Sequence, residues 1–128
     1  MEEVITLEEQ AIRLSPRDSG LGYFYFRIGQ AYLLQSRTDE AIMWLEKASN
    51  HNPAFAAFHA QLASAYALNG EIERAATELA EARRLGVDDR FSSLARLKAV
   101  GYFGVPKVCA LFEATYFAGL RLAGMPEE

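Results

Sequence analysis

Between Leu21 and Val87 the apolar positions fall at helical spacing, and the pattern is written twice. Tyr32 returns as Tyr66, Ala41 as Ala75, Leu45 as Leu79 and Ala48 as Ala82, each 34 residues on. Phe24 returns as Phe58, Ile28 as Leu62 and Gly29 as Ala63 at the same offset. A constant period near 34 is what stacked helix–turn–helix units write into a sequence, because every unit must present the same faces to its neighbours. The spacing predicts helices over 2–15, 21–35, 39–50, 54–68 and 71–84. Between them lie breakers: Pro16 to Gly20, Ser36 to Thr38, Asn50 to Pro53, and Asn69-Gly70, with Gly86 closing the last. Thr38 is placed to cap the helix that begins with Asp39 and Glu40. Beyond Asp88 the period fails, because the signature sites would fall on Ser93, Arg96, Leu97 and Val100. There a helix capped by Asp88 or Asp89 is predicted to run to about Val100. A glycine-bounded loop, Gly101 to Gly104, then leads to a last helix from Pro106 to about Ala123, ended by Gly124 and Pro126.

Through Tyr25, Ile28, Gly29, Tyr32, Ala41, Leu45, Ala48 and Pro53 the first copy resembles the tetratricopeptide repeat (TPR). The second copy keeps Leu62, Tyr66, Ala75, Leu79 and Ala82. It departs at His59, Ala63 and Val87, where the family often has an aromatic, Gly and Pro. The resemblance implies an all-α, TPR-like right-handed superhelix of antiparallel helix pairs, about seven helices in one domain. Its parts are a partial repeat over 1–16, repeats over 22–55 and 56–89, and a divergent C-terminal helical pair over 90–124. Ala11 to Pro16 resembles the end of a TPR second helix without its first, so the chain reads as a piece that opens inside a repeat. The alternative is a natural start with a lone capping helix. The closest helix approaches are expected at Gly29 against Ala41 and at Ala63 against Ala75.

By the same resemblance, the first helix of each unit lines a concave groove. The implied partner-binding positions are Tyr23, Phe26, Gln30, Leu33 and Leu34, then Ala57, Ala60, Ser64, Ala67 and Leu68. These make a shallow apolar trough. It lacks the Lys, Asn and Arg set with which some TPR proteins hold a C-terminal carboxylate, and that subclass is rejected. The last helix is too apolar for an ordinary surface: Val108, Leu111, Phe112, Tyr116, Phe117, Leu120 and Leu122 go most of the way round. The first six of these are the candidates for self-association. Three placements are open to this helix: in the groove of its own chain, on the end of the stack, or against a second copy.

Composition narrows the functional classes. The net charge of −4, from 17 acidic and 13 basic side chains, argues against a nucleic-acid surface. Val108 to Leu120 is interrupted only by Glu113 and flanked by Lys107 and Arg121, too short to cross a bilayer. A single cysteine, Cys109, permits no intramolecular disulfide and suits a reducing compartment, and the start of the chain lacks the basic region of a signal peptide. The expected location is the cytoplasm.

No constellation for catalysis, cofactor or metal binding stands out. His51 and His59 have no cysteine near them at zinc spacing, and Cys109 has no nearby histidine. Arg83, Arg84, Arg90 and Arg96 form a small basic patch, read as a solvated face or as partners of a helix C-terminus. Glu71, Glu73, Glu78 and Glu81 read as solvated helix surface.

A second resemblance covers Leu94 to Glu128, about a quarter of the chain, and is carried by Phe112 to Glu128: the segment is similar to the C-terminal tail of certain bacterial multidomain signalling proteins. Such tails end TPR regions that follow class III adenylate/guanylate cyclase domains or winged-helix regulators. The implied role is a protein–protein interaction or scaffold module whose partner is a protein or peptide helix. The alternatives are a homodimerisation module and, from a different class, a small enzyme domain around Cys109 or His59.

Overall fold

The computed structural model describes residues 5–6, 20–100 and 106–128. The turn over 16–19, the loop over 101–104 and, apart from Ile5 and Thr6, the helix expected over 2–15 lie outside the described residues. Among those described, every regular element is helical. Helix α1 spans Leu21–Leu34, α2 Thr38–His51, α3 Ala56–Leu68 and α4 Ile72–Leu85. A single 3-10 turn, Arg90–Ser92, precedes the short α5, Leu94–Val100. The C-terminal helix begins as α6, Pro106–Phe112, widens into a π-helical segment, Glu113–Phe117, and finishes as α7, Ala118–Leu122.

Helices α1 and α2 pack as one hairpin, α3 and α4 as the next, and α2 against α3 joins them. The repeated positions meet in the interior. Ile28, Leu45 and Ala41 are buried in the first hairpin, as are Leu62, Leu79 and Ala75 in the second. Each large side chain buried this way contributes roughly 1.5–3 kcal/mol. Gly29 does make a close approach, but to a different neighbour than Ala41. A Cβ there would lie 2.7 Å from Leu45 Cγ and 3.2 Å from the Leu45 backbone nitrogen. The contact has slipped one helical turn along α2. Ile5 is buried beside Ile28 and Ala31, with Trp44 packed on them, and so covers the outer face of the first hairpin.

The turns repeat with the same period as the core. Ser36 donates its N–H to Leu33 and Arg37 to Tyr32, each at 2.9 Å. Gly70 donates to Ala67 at 3.0 Å and Glu71 to Tyr66 at 2.9 Å, the same pairing 34 residues later. Both satisfy the last carbonyls of a helix through one residue in the left-handed region, φ +83° at Gly70 and φ +61° at Ser36. The third such end is Gly124, φ +109°, where Met125 donates to Leu120 at 2.9 Å. At the start of α2 the cap differs from expectation. Thr38 is already helical, Arg37 precedes it, and no side chain caps the helix. Asp39 and Glu40 in the first turn supply the favourable charge instead.

The C-terminal helix packs along α3 through the π segment and α7, and the π segment also touches α1. Helix α3 is therefore enclosed on all sides: the ten residues Phe58 to Ala67 are buried without a break. This explains why α3 carries so little polar patterning for a surface helix.

Candidate functional site: the concave groove and its occupant

The implied groove residues divide by position along α1 and α3. At the start of the two helices the groove is open. Tyr23 is 52% exposed, Ala57 is exposed and Phe26 is half-buried. Further along it is covered: Leu33, Leu34, Ala60, Ser64 and Ala67 are buried, while Gln30 and Leu68 are half-buried. The cover is the chain's own C-terminal helix.

The fit depends on two small residues. Gly119 of α7 lies against Ser64 of α3, so closely that a Cβ would sit 2.1 Å from Ser64 Oγ and 2.5 Å from the Ser64 carbonyl oxygen. Ser64 Oγ–H donates to the carbonyl of Tyr116 at 2.8 Å. A π-helical segment disturbs the ordinary backbone pairing of a helix, and here one of its carbonyls accepts from the groove. Large side chains flank the crossing. Phe112, Tyr116, Phe117 and Leu120 are all buried, with Tyr116 and Phe117 ring centroids 5.5 Å apart. Burial pushes the Tyr116 hydroxyl pKa above the ordinary phenol range, so no charge develops there.

The segment is also fastened at its end. The carbonyls of Pro126 and Glu127 accept the N–H groups of Leu94 and Ala95, both at 2.8 Å. Ser93 Oγ accepts from the Arg96 N–H at 3.2 Å. Three unpaired donors in the first turn of α5 are thereby satisfied, two of them by the tail rather than by a side chain. Glu113 pairs with Lys98 at 2.5 Å and with Arg121 at 3.0 Å, and Arg121 pairs with Glu127. The hydrogen bonds from Lys98 and then Arg121 hold the Glu113 carboxyl below its usual range.

Of the six self-association candidates, Phe112, Tyr116, Phe117 and Leu120 face the core of their own chain. Leu111, 37% exposed, faces outward. Val108 lies on α6, but its side-chain surroundings fall outside the described residues.

The open end of the groove is aromatic. Phe26 stacks on Phe58 with centroids 4.8 Å apart, Phe55 meets Phe58 edge-on at 5.1 Å, and Tyr23 lies 5.9 Å from Phe26. Phe55 is 49% exposed. A depression of ≈ 220 Å³ beside it is lined by Ala57, Leu85, Val87 and Phe91 among others.

Groups singled out for chemistry have structural partners. His59 is buried; its Nε2 lies 2.7 Å from the Pro53 carbonyl and its Nδ1 lies 2.6 Å from Glu78 Oε2. Glu78 is thus a half-buried bridge between α3 and α4, unlike the solvated carboxylate expected, because His59 fills the site where the family often has an aromatic. The basic patch is neutralised where it stands: Arg84 pairs with Glu81, Arg90 with Asp88 and Arg96 with Asp89. Arg83 Nε donates to the Phe91 carbonyl at 3.0 Å. Tyr66 donates to Glu46 at 2.5 Å; burial first, then that bond, pushes its hydroxyl pKa up. Cys109 is half-buried on α6. Among the described residues no group of three His, Cys, Asp or Glu is placed to hold a metal ion, and no helix is long and apolar enough to cross a membrane.

Sequence reasoning missed the Gly119–Ser64 crossing and the capping of α5 by the tail. The first left a signal, an isolated glycine inside a strongly apolar helix, which often marks close packing. The second left none, since every residue carries a backbone carbonyl and only the folded chain decides which of them reach Leu94 and Ala95.

Residues 32–99 match the tetratricopeptide repeat family. That span is more than half of the chain, and the chain belongs to this family. TPR domains bind protein partners and are typically non-catalytic. No curated protein matches the chain.

Proposed function

We propose that the chain is a protein–protein interaction and scaffold module, the regulatory C-terminal part of a larger bacterial signalling protein, working in the cytoplasm. It carries no catalysis or cofactor of its own, and its partner is a protein or peptide helix rather than nucleic acid or membrane. The observation that carries this reading is the aromatic rim of Tyr23, Phe26 and Phe55 at the open end of the groove. Aromatic side chains exposed together on a TPR stack are the kind of anchor that dominates protein interfaces. The pairing of Arg84, Arg90 and Arg96 with carboxylates speaks against a phosphate-binding stripe. The likeness of Phe112 to Glu128 to tails of cyclase-type and winged-helix signalling proteins supports the wider context.

Self-association is the second reading. It is favoured by the outward apolar positions of the C-terminal helix, Leu111 and Leu122, the latter 54% exposed.

A photo-crosslinker at Ala57, in cells, tests the first reading. The wild-type chain is expected to crosslink to a different protein, and the double variant Tyr23→Glu/Phe55→Glu to lose that crosslink with an unchanged melting temperature. Crosslinks only to a second copy favour self-association. A heterologous crosslink that survives the double variant refutes the rim as the site.

A further inference from the structure

The C-terminal helix has a second face that its own chain leaves bare. Phe112, Tyr116, Phe117 and Leu120 are engaged in the core, which fixes the rotation of the helix and so decides what it shows outside. The outward positions are Leu111, Ala114, Ala118 and Leu122. The leucines are 37% and 54% exposed, Ala114 is exposed and Ala118 is half-buried. Spacings of three, four and four residues keep these positions on one stripe, and no charge interrupts it. The stripe reads the same from either end: leucine, alanine, alanine, leucine. Its edge is opposite in charge at the two ends. Glu113 lies near one end and Arg121 near the other, and their 3.0 Å pair shows that both stand on the same flank.

We propose that this stripe is the seam of a homodimer, in which the C-terminal helix pairs antiparallel with the same helix of a second copy. A two-fold axis through the middle of the seam lays Leu111 on the partner's Leu122 and Ala114 on the partner's Ala118. Two alanines at the centre let the backbones approach, and the leucines close over each end. The same rotation brings Glu113 beside the partner's Arg121, and Arg121 beside the partner's Glu113, so each gains an opposite charge. A parallel pair would set carboxylate against carboxylate and guanidinium against guanidinium, which the charges oppose. Two leucines and two alanines per chain cover far less than the about 1,200 Å² at which stable complexes begin. The dimer is therefore weak and forms as concentration rises. The inference rests on the self-association reading and gives it a surface and an orientation. It uses no residue of the aromatic rim, so a dimer carries two rims.

Sedimentation equilibrium of the full chain reads the mass. Wild type is expected to rise from monomer toward dimer between micromolar and millimolar concentration. Leu111→Glu/Leu122→Glu is expected to stay monomeric over that range with an unchanged melting temperature, because both positions are exposed. Orientation is read by disulfide trapping in a Cys109→Ala background. A Leu111→Cys chain is expected to cross-link to a Leu122→Cys chain about tenfold faster, or more, than either variant cross-links to itself, since only opposed positions come within disulfide reach. Wild type that stays monomeric at millimolar concentration overturns the proposal together with the self-association reading. A dimer that survives Leu111→Glu/Leu122→Glu, or one that traps each cysteine variant with itself in preference to the mixture, overturns the antiparallel seam and leaves that reading standing.

Discussion

Gly119→Ala is the sharpest perturbation, because two physical effects predict opposite signs. In a free helix, alanine is favoured over glycine by about 1 kcal/mol, so an undocked C-terminal helix should be stabilised. In the docked helix the new Cβ would stand 2.5 Å from the Ser64 carbonyl oxygen and 2.9 Å from its carbon. These are backbone atoms and cannot rotate away. To reach ordinary van der Waals contact the helices must separate by about 1 Å. Overpacking of this kind costs roughly 1–3 kcal/mol. The 2.8 Å bond from Ser64 to Tyr116 would lengthen at the same time, losing about 0.5–1.5 kcal/mol. Setting these against the propensity gain leaves a net destabilisation of roughly 1–3 kcal/mol. Urea unfolding followed by circular dichroism measures it, with the slope unchanged if only the native state is affected. Adding Ser64→Ala removes the hydroxyl but not the carbonyl, so it should recover only part of the loss. A Gly119→Ala chain as stable as wild type, or more so, would refute the close approach and with it the filled groove.

Other substitutions test neighbouring parts of the argument. Leu120→Ala, at a fully buried position, should cost about 2–5 kcal/mol, whereas Leu122→Ala, 54% exposed, should change stability by less than about 0.5 kcal/mol; equal effects in urea melts would mean the helix face is misassigned. Ser36→Gly should stabilise by up to about 1 kcal/mol, since Ser36 holds φ +61° where its repeat equivalent is Gly70, and thermal melts showing a loss would argue against that turn. Glu113 titrates below its ordinary value of 4.5 in the folded chain, so its contribution is present above that pH and is lost as pH falls through the lower folded value. Because the pair is on the surface the effect is well under about 1 kcal/mol, and Glu113→Gln should slightly flatten the acid limb of stability against pH, an unchanged limb showing that Lys98 and Arg121 do not hold the carboxylate. His59→Ala should leave the Pro53 carbonyl and Glu78 without their partner and cost about 1–3 kcal/mol, read by calorimetry.

The repeat was legible because it is local and doubled. Tyr32 with Tyr66, Leu45 with Leu79 and Ala48 with Ala82 each fix a helix face, and stacking requires the same faces in successive units. Helix ends followed for the same reason: Gly70 and Gly124 hold left-handed backbone that glycine adopts without strain. The excess apolarity of Val108 to Leu120 showed that this helix needed covering. Which surface would cover it was a different kind of question. Hydrophobic pattern has no direction beyond its own helix, so it named a helix in search of a partner and a trough in search of an occupant, and left their joining within one chain as one of three placements. Only the folded chain brings Gly119 onto Ser64 and lays the Pro126 and Glu127 carbonyls over the start of α5. Those contacts span tens of residues and depend on close fit and on backbone groups common to every residue, and neither leaves a periodic trace in a sequence.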